Sequence, residues 1–196
     1  MGKKILVIQG HPDTSTDHLC HVLASSYIKG AQKGKHEIRT IRIAIMDFPI
    51  LRSKKQWENT ALSKPVENVQ KDIEWANHLV LFFPLWLGGM PALTKGFLEQ
   101  VARPDFAFSA ENKKNPFAHK KLSGRSARLV VTMGMPAFVY RFYFKAHSIK
   151  ALKRNILGFI GIKPIRNTLF GGVDNLPAKK LNQWRIKLEK LGMNGK

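Results

Sequence analysis

The chain has 196 residues, 44% of them hydrophobic, which suffices for one substantial core and predicts one domain over residues 1–196. No apolar run approaches the ~20 residues that span a bilayer, no signal-peptide pattern is present, and one cysteine excludes an internal disulfide framework. We therefore expect a soluble cytoplasmic protein without stable membrane insertion. The 33 basic and 13 acidic residues give a net charge of +20, which attracts polyanions, but no nucleic-acid-binding motif accompanies the charge and we expect no nucleic-acid partner.

Short apolar runs alternate with segments of helical periodicity along the chain. The apolar runs predict five strands, at residues 4–9, 37–45, 78–83, 128–132 and 165–170. The helical patterns cover residues 17–29, 64–76, 91–101, 138–157 and 177–191. Strands separated by helices favour right-handed crossovers. The predicted fold class is therefore α/β, a doubly wound, flavodoxin-like sheet of five parallel strands in the order 2-1-3-4-5 with helices on both faces.

Three loops of unusual composition follow the first, third and fourth strands, at residues 10–17, 84–90 and 132–136. In a doubly wound sheet these loops meet at the carboxyl ends of the strands, where ligands bind. The loop 84–90 is aromatic and glycine-rich, which suits a rigid support for a flat ligand, although an apolar loop can also cover a core.

The loop 10–17 leads into a helix and is rich in hydroxyl groups. Unpaired N–H groups at a helix N-terminus, with the Ser15 and Thr16 hydroxyls and the His11 and His18 rings, favour an anion site. Simple N-capping by a residue of 13–15 is the alternative. The loop is neither a G-x-G-x-x-G fingerprint nor a P-loop, and the spacing of His18 and His21 around Cys20 predicts no metal site.

The three loops carry the patterns I-L-V-I-Q-G-H-P-D-x-S-T, F-P-L-W-x-G-G-M-P-A-x-x-K-G and V-T-M-G, in that order. Between about residues 4 and 172 the chain resembles the NAD(P)H:quinone oxidoreductase family of flavodoxin-like flavoproteins. The resemblance implies a bound FMN or FAD, hydride transfer from NADPH or NADH, and a quinone-like acceptor. It also implies a homodimer with active sites at the subunit interface.

Matched position by position, the resemblance assigns thirteen residues to the flavin. Those on its phosphate side are His11, Ser15, Thr16, Asp17 and His18. Those along the isoalloxazine edge, with backbone N–H groups facing it, are Pro84, Leu85, Trp86 and Leu87. Those on the pyrimidine and ribityl side are Thr132, Met133, Gly134 and Met135.

The resemblance also suggests catalytic and substrate-binding residues. Tyr140 falls where family members have a tyrosine beside the flavin, and His147 lies one residue out of register with the histidine that works with it. A Tyr143–His147 pair at i, i+4 on one helix is a further possibility. Phe106 and Phe108 would line the substrate pocket, with Phe108 where quinone reductases often have tyrosine. From the residues alone, Tyr140 could equally be a core aromatic and His147 a surface residue.

The sequence therefore predicts a flavin-dependent NAD(P)H oxidoreductase that works by a ping-pong mechanism. FMN is favoured over FAD because no segment after the fifth strand offers a clear adenine pocket. Two alternatives stay open. One is a flavin-binding ancillary subunit of a membrane transporter, for which a basic surface is suited. The other is a nucleic-acid-associated protein in which the charge does the binding.

Overall fold

One five-stranded sheet forms the centre of the protein. The computed structural model describes residues 2–15, 17–109 and 120–196. The strands are β1 (Lys4–Gln9), β2 (Glu37–Arg42), β3 (His78–Pro84), β4 (Ser126–Met133) and β5 (Ile165–Gly171). All neighbours pair in parallel in the order β2-β1-β3-β4-β5, which confirms the predicted fold class. The central strands β1, β3 and β4 are almost entirely buried, as expected when helices cover both faces.

Helices and shorter helical segments connect the strands. The α-helices are α1 (Leu19–Lys33), α2 (Lys54–Asn59), α3 (Lys64–Trp75), α4 (Ala92–Val101), α5 (Ala137–Phe142), α6 (His147–Ala151) and α7 (Ala178–Met193). A 3-10 turn covers Ile43–Ile45 and a π-helical segment covers Leu152–Leu157. None of the helices in the described ranges is long and apolar enough to cross a membrane.

Helices α1 and α7 cover one face of the sheet at close range. Two glycines make this possible, since a Cβ on Gly30 would lie 1.9 Å from the Glu189 carbonyl oxygen and one on Gly192 would lie 2.0 Å from that of Tyr27. The buried cluster beneath contains Ile5, Val7, Leu23, Tyr27, Phe82, Phe170 and Leu188. The close packing fixes α1, and with it the loop that precedes α1, against the sheet.

The opposite face holds the larger core. It is built from the apolar sides of α3 and α4 and from the segment that follows α6, for example Val69, Phe97 and Leu152. Apolar side chains of β1, β3 and β4 pack against them. The two cores leave the carboxyl ends of the central strands as the place where loops gather.

The structure corrects three predicted elements. The helix predicted over 138–157 is interrupted, because Lys145 and Ala146 adopt positive φ angles of 52° and 48° between α5 and α6. The strand predicted over 37–45 ends at Arg42, and the short helix α2 was not predicted. Ser53 begins α2, its hydroxyl accepting a hydrogen bond from the Gln56 N–H, and such a cap is a signal that a sequence pattern can carry.

Candidate flavin-binding site

Gly10 ties the loop after β1 to the neighbouring strand and helix. Its N–H donates to the Phe82 carbonyl at 2.7 Å, and its own carbonyl accepts from the Thr94 hydroxyl at 2.6 Å. A Cβ at position 10 would lie 3.0 Å from both the Phe82 carbonyl oxygen and the Thr94 Oγ1. A larger residue would push these neighbours apart by a few tenths of an ångström, so glycine suits this close approach and the loop starts from a fixed point.

The loops after β1, β3 and β4 meet, as the sequence predicts. The ring of His11 contacts that of Trp86 edge-on, with 5.7 Å between centroids. The Leu85 N–H donates to the Thr132 carbonyl at 2.7 Å, and the Cys20 thiol lies 3.2 Å from the Thr132 hydroxyl. Each loop is therefore joined directly to at least one of the other two.

Three histidines gather at the start of α1. The rings of His11 and His18 are stacked 3.9 Å apart, and the His21 ring lies 5.7 Å from that of His11. Asp13 pairs with His18 at 2.9 Å. Burial lowers the pKa of His11 and of His21. His18 and His21 lower that of His11 further, and Arg42 and His18 lower that of His21.

Helix α1 begins without a side-chain cap. His18 is the N-cap residue, and its side chain makes no capping hydrogen bond. Capping of α1 by a residue of 13–15 is therefore wrong: the Asp13 carboxylate accepts from the Ser15 N–H at 2.8 Å instead. Ser15 and Asp17 are exposed beside the helix start, whereas Thr16 lies outside the described residues.

The loop after β3 presents an apolar surface. Pro84 is buried, but Trp86 keeps 49% of its surface exposed and Leu87 is fully exposed. Leu87 has φ of +44°, in the left-handed region that non-glycine residues seldom adopt. The Trp86 N–H donates to the Gly89 carbonyl at 2.8 Å, and the Gly89 N–H returns a bond of 2.9 Å to Trp86.

These bonds correct one prediction about the loop. The N–H groups of Leu85 and Trp86 are used within the protein and do not face a ligand, while Pro84 has no N–H. Of the four predicted positions, only the Leu87 N–H has no acceptor among the described residues. The reason is the turn itself, which closes the loop on Gly89 and joins it to β4.

The loop after β4 is anchored on its far side by β5. Thr132 and Met133, the last two residues of β4, are buried, and in the loop itself Met135 is half-buried and Gly134 is exposed. The carbonyls of Gly134 and Met135 both accept from the Gly172 N–H at 3.1 Å. A Cβ on Gly134 would lie 2.7 Å from the Asp174 carboxylate, so glycine allows the loop to sit against that side chain.

Tyr140 lies just beyond this loop but is part of the core. It is 2% exposed and its hydroxyl is 2.6 Å from the Ser148 hydroxyl. His147 is exposed at the first position of α6. The proposed i, i+4 relation of Tyr143 and His147 is wrong because the left-handed residues between α5 and α6 break the helix.

Phe106 and Phe108 are not brought to the three loops within one chain. Helix α4 starts beside the loop after β3 and runs back along the sheet. Its ten residues carry the chain ~15 Å toward the amino ends of the strands, and Phe106 and Phe108 follow the helix. The Phe108 ring contacts those of Trp57 and Phe159, at 5.7 and 5.4 Å. Phe108 lines a groove of about 330 Å³ there, and Phe106 a second groove of about 450 Å³.

Two residues of the site were not predicted. Arg42, the last residue of β2, donates to the Thr14 carbonyl at 2.6 Å and so lies against the loop after β1. His21 lies one turn into α1 and faces the same loop. Its spacing of three from His18 is the only signal in the sequence, and nothing around Arg42 distinguishes it from other basic residues.

Two observations bear on metal and thiol chemistry in this site. Within the described ranges, no group of three histidine, cysteine or acidic side chains is arranged to hold a metal ion. Cys20 is buried, and burial raises its pKa to about 11, so the thiol stays protonated near neutral pH.

Curated relatives are distant. A Haemophilus influenzae protein named "Uncharacterized NAD(P)H oxidoreductase" is 23% identical over 178 residues, which cover 89% of this chain and 86% of that protein. NAD(P)H dehydrogenase (quinone) 1 of Cavia porcellus is 28% identical over 145 residues, covering 69% of this chain and 51% of the relative. The chain thus matches about half the length of that mammalian relative.

Solved structures share the fold at low identity. The NAD(P)H:quinone oxidoreductase of Methanothermobacter marburgensis superposes with a TM-score of 0.82 at 16% identity, covering all of both chains. An FMN-dependent NADH-azoreductase of Bacillus anthracis, solved in complex with FMN, gives 0.75 at 18% identity, covering 99% of each chain. A family model described as flavodoxin-like fold matches residues 3–191. With that match and the strand order β2-β1-β3-β4-β5, the chain belongs to the flavodoxin-like fold family.

Proposed function

We propose that the protein is a flavin-dependent NAD(P)H oxidoreductase that binds FMN and passes hydride from NADPH or NADH to a quinone-like acceptor. The convergence of the three loops carries the proposal. It is built from the His11–Trp86 contact and from the two contacts that Thr132 makes with Leu85 and Cys20. Ligands of this fold bind where these loops lie.

The residues of the site suit a phosphorylated, flat cofactor. On one side, the uncapped N-terminus of α1 and the Ser15 hydroxyl supply donors for a phosphate. The buried His21 Nε2 and Arg42 Nε have no hydrogen-bond partner among the described residues. Buried nitrogens normally have partners, so these two favour an anion that completes the site.

The other side of the site suits a ring. Trp86 and Leu87 expose apolar surface next to the histidines, and apolar and aromatic side chains are the usual lining of pockets that hold a flat cofactor. Flavin, when bound, supplies the two-electron chemistry, while the protein supplies position and electrostatics. The Leu87 N–H, which has no acceptor among the described residues, would be available to donate to a ring edge.

The names of the relatives support the donor and acceptor. Both curated relatives described above are named for NAD(P)H, and the solved neighbours are named for quinone or azo reduction. We propose a ping-pong mechanism, in which one open pocket accepts nicotinamide and then the acceptor. Initial rates at several acceptor concentrations should then give parallel double-reciprocal lines against NADPH.

In a homodimer, Phe106 and Phe108 could contribute to the substrate pocket of the other subunit. Both lie away from the three loops of their own chain, in grooves lined partly by Trp57. We propose that the groove of Trp57, Phe108 and Phe159 packs against a second copy and contributes to its substrate pocket. Sedimentation equilibrium should give the mass of two chains, and Phe108→Asp should give one chain with weakened acceptor turnover.

The test of the main proposal is spectroscopic. Purified protein should show flavin absorbance, release a chromophore with the mass of FMN, and bleach when NADPH or NADH is added without oxygen. A protein that carries no flavin and cannot be reconstituted with FMN or FAD would refute the proposal. Release of FAD would correct only the cofactor.

A second function is favoured by the basic surface. From residue 120 to 173 the chain has no acidic residue, and a groove of about 430 Å³ beside β5 is lined by Arg141, Lys145, Lys150 and Lys153. Such a surface suits an ancillary subunit seated on a membrane transporter. Flavin binding with negligible NAD(P)H turnover, together with co-sedimentation with membranes at low salt, would favour this alternative.

A further inference from the structure

The three-histidine cluster of His11, His18 and His21 has an arrangement that determines which ring atoms can meet an anion. The Asp13 N–H donates to His11 Nδ1 at 3.2 Å, so this nitrogen carries a lone pair and the proton of neutral His11 is on Nε2. His11 can therefore donate a hydrogen bond without changing its charge. His18 Nε2 already faces a carboxylate, that of Asp13.

His21 is different. Its Nδ1 hydrogen-bonds to the Gln9 side-chain oxygen, which accepts, so Nδ1 carries the proton in the neutral ring. Its Nε2 then carries a lone pair, is buried, and has no partner among the described residues. Only 6% of His21 is exposed, so water cannot freely satisfy this nitrogen.

The surroundings of His21 contain both basic and acidic groups. Arg42, His11 and His18 face it, Asp13 is the nearby carboxylate, Asp17 lies in the same loop, and the Cys20 thiol is neutral. Burial and Arg42 lower the pKa of His21, while the backbone of Asp13 raises it. A second proton on this ring is therefore disfavoured until an anion arrives.

We propose that His21 binds the phosphate monoester of the cofactor through Nε2 and takes up one proton from solvent when it does so. A phosphate oxygen accepts hydrogen bonds only, so Nε2 must be protonated to hold it. The proton ends on Nε2, and no bond of the cofactor is broken. This inference rests on the proposed function and adds to it a residue that selects the phosphorylated flavin.

The consequence is a proton-linked preference for FMN over riboflavin, which lacks the phosphate. Between the pKa of His21 in the free protein and its higher pKa in the complex, the affinity for FMN should fall tenfold for each pH unit of increase. The affinity for riboflavin should not change. The window from pH 6.5 to 8.5 keeps the phosphate largely dianionic, since its second pKa is about 6.

The experiment measures dissociation constants of FMN and riboflavin for the deflavinated protein by fluorescence quenching over that window. We expect the ratio of the riboflavin to the FMN constant to fall by about tenfold per pH unit. In the His21→Asn variant the ratio of the riboflavin to the FMN constant should be the same at every pH of the window, because the pH dependence for FMN is lost. His36→Gln, at a histidine that bonds to Met193 and Lys3 away from the site, is the matched control and should retain it.

Calorimetry on the unaltered protein covers the case in which His21→Asn does not fold. FMN binding in two buffers of different ionisation enthalpy should report uptake of close to one proton, and riboflavin binding should report none. Equal, pH-independent affinity for the two flavins would overturn the inference and leave the proposed function intact. Failure to bind either flavin would overturn both.

Discussion

The Tyr140–Ser148 hydrogen bond provides a sharp test of how the region after β4 works. Tyr140→Phe removes a hydroxyl that is 2.6 Å from Ser148 Oγ and leaves a ring that is 98% buried in place. A hydrogen bond of this kind contributes about 0.5–1.5 kcal/mol to the free energy of unfolding. For a chain of 196 residues, a loss of about 1 kcal/mol lowers the melting temperature by about 2–4 °C.

The assay is a double-mutant cycle with Ser148→Ala, in which denaturant unfolding gives the stability of the two single variants and the double variant. We expect a coupling free energy of about 0.5–1.5 kcal/mol, because each substitution removes the same bond. Stopped-flow reduction by NADPH, measured in parallel, should slow in Tyr140→Phe while flavin content stays the same. A coupling of zero would refute the hydrogen bond, and loss of flavin in Tyr140→Phe would mean that the hydroxyl supports cofactor retention and not hydride transfer.

Three further predictions follow from single residues. Gly10→Ala should lower the free energy of unfolding by about 1–3 kcal/mol in denaturant titrations, because its Cβ would press on the Phe82 backbone. Gly89→Ala is the control and should leave the free energy of unfolding unchanged, because the space around Gly89 is open. Trp86→Ala should weaken FMN binding by about tenfold in fluorescence titration. It should change the free energy of unfolding by less than about 0.5 kcal/mol, because the side chain is half exposed. Unchanged affinity would exclude Trp86 from the site. His78 is buried, and burial lowers its pKa to about 4. The stability that neutral His78 contributes should be full above about pH 6.5 and should fall by up to about 1.4 kcal/mol per pH unit as the pH is lowered from 6.5 to 4. His78→Asn should remove this slope.

The sheet and the meeting of the loops could be predicted from the sequence because both follow from strong, local patterns. Runs such as residues 5–8 and 79–83 are continuously apolar, which is typical of strands covered on both faces. Once the order of strands and helices is known, the carboxyl ends of β1, β3 and β4 must lie side by side. The unusual composition of their loops then marks the site.

The break between α5 and α6 could not be predicted in the same way. Lys145 and Ala146 are residues that favour helices, and no glycine or proline stands at the interruption. Tertiary packing determines the break. Tyr140 in α5 and Ile149 in α6 are both buried in the core, and each is brought there by its own helix. The position of Phe108 was missed for a related reason, because its place depends on the direction of α4 and not on its neighbours in the chain.

The internal hydrogen bonds of the loop after β3 change how affinity for a flat ligand should arise. The predicted arrangement used the N–H groups of Leu85 and Trp86 as direct donors, but these hold the loop to β4 and close its turn on Gly89. A loop fixed by the fold needs little further ordering when a ligand binds, and ordering is one of the main terms that oppose binding. In the proposed flavin complex, the exposed Trp86 ring and the Leu87 N–H would therefore act from preset positions. Direct hydrogen bonds to the ring would be fewer than predicted, and rigidity would take over part of their role.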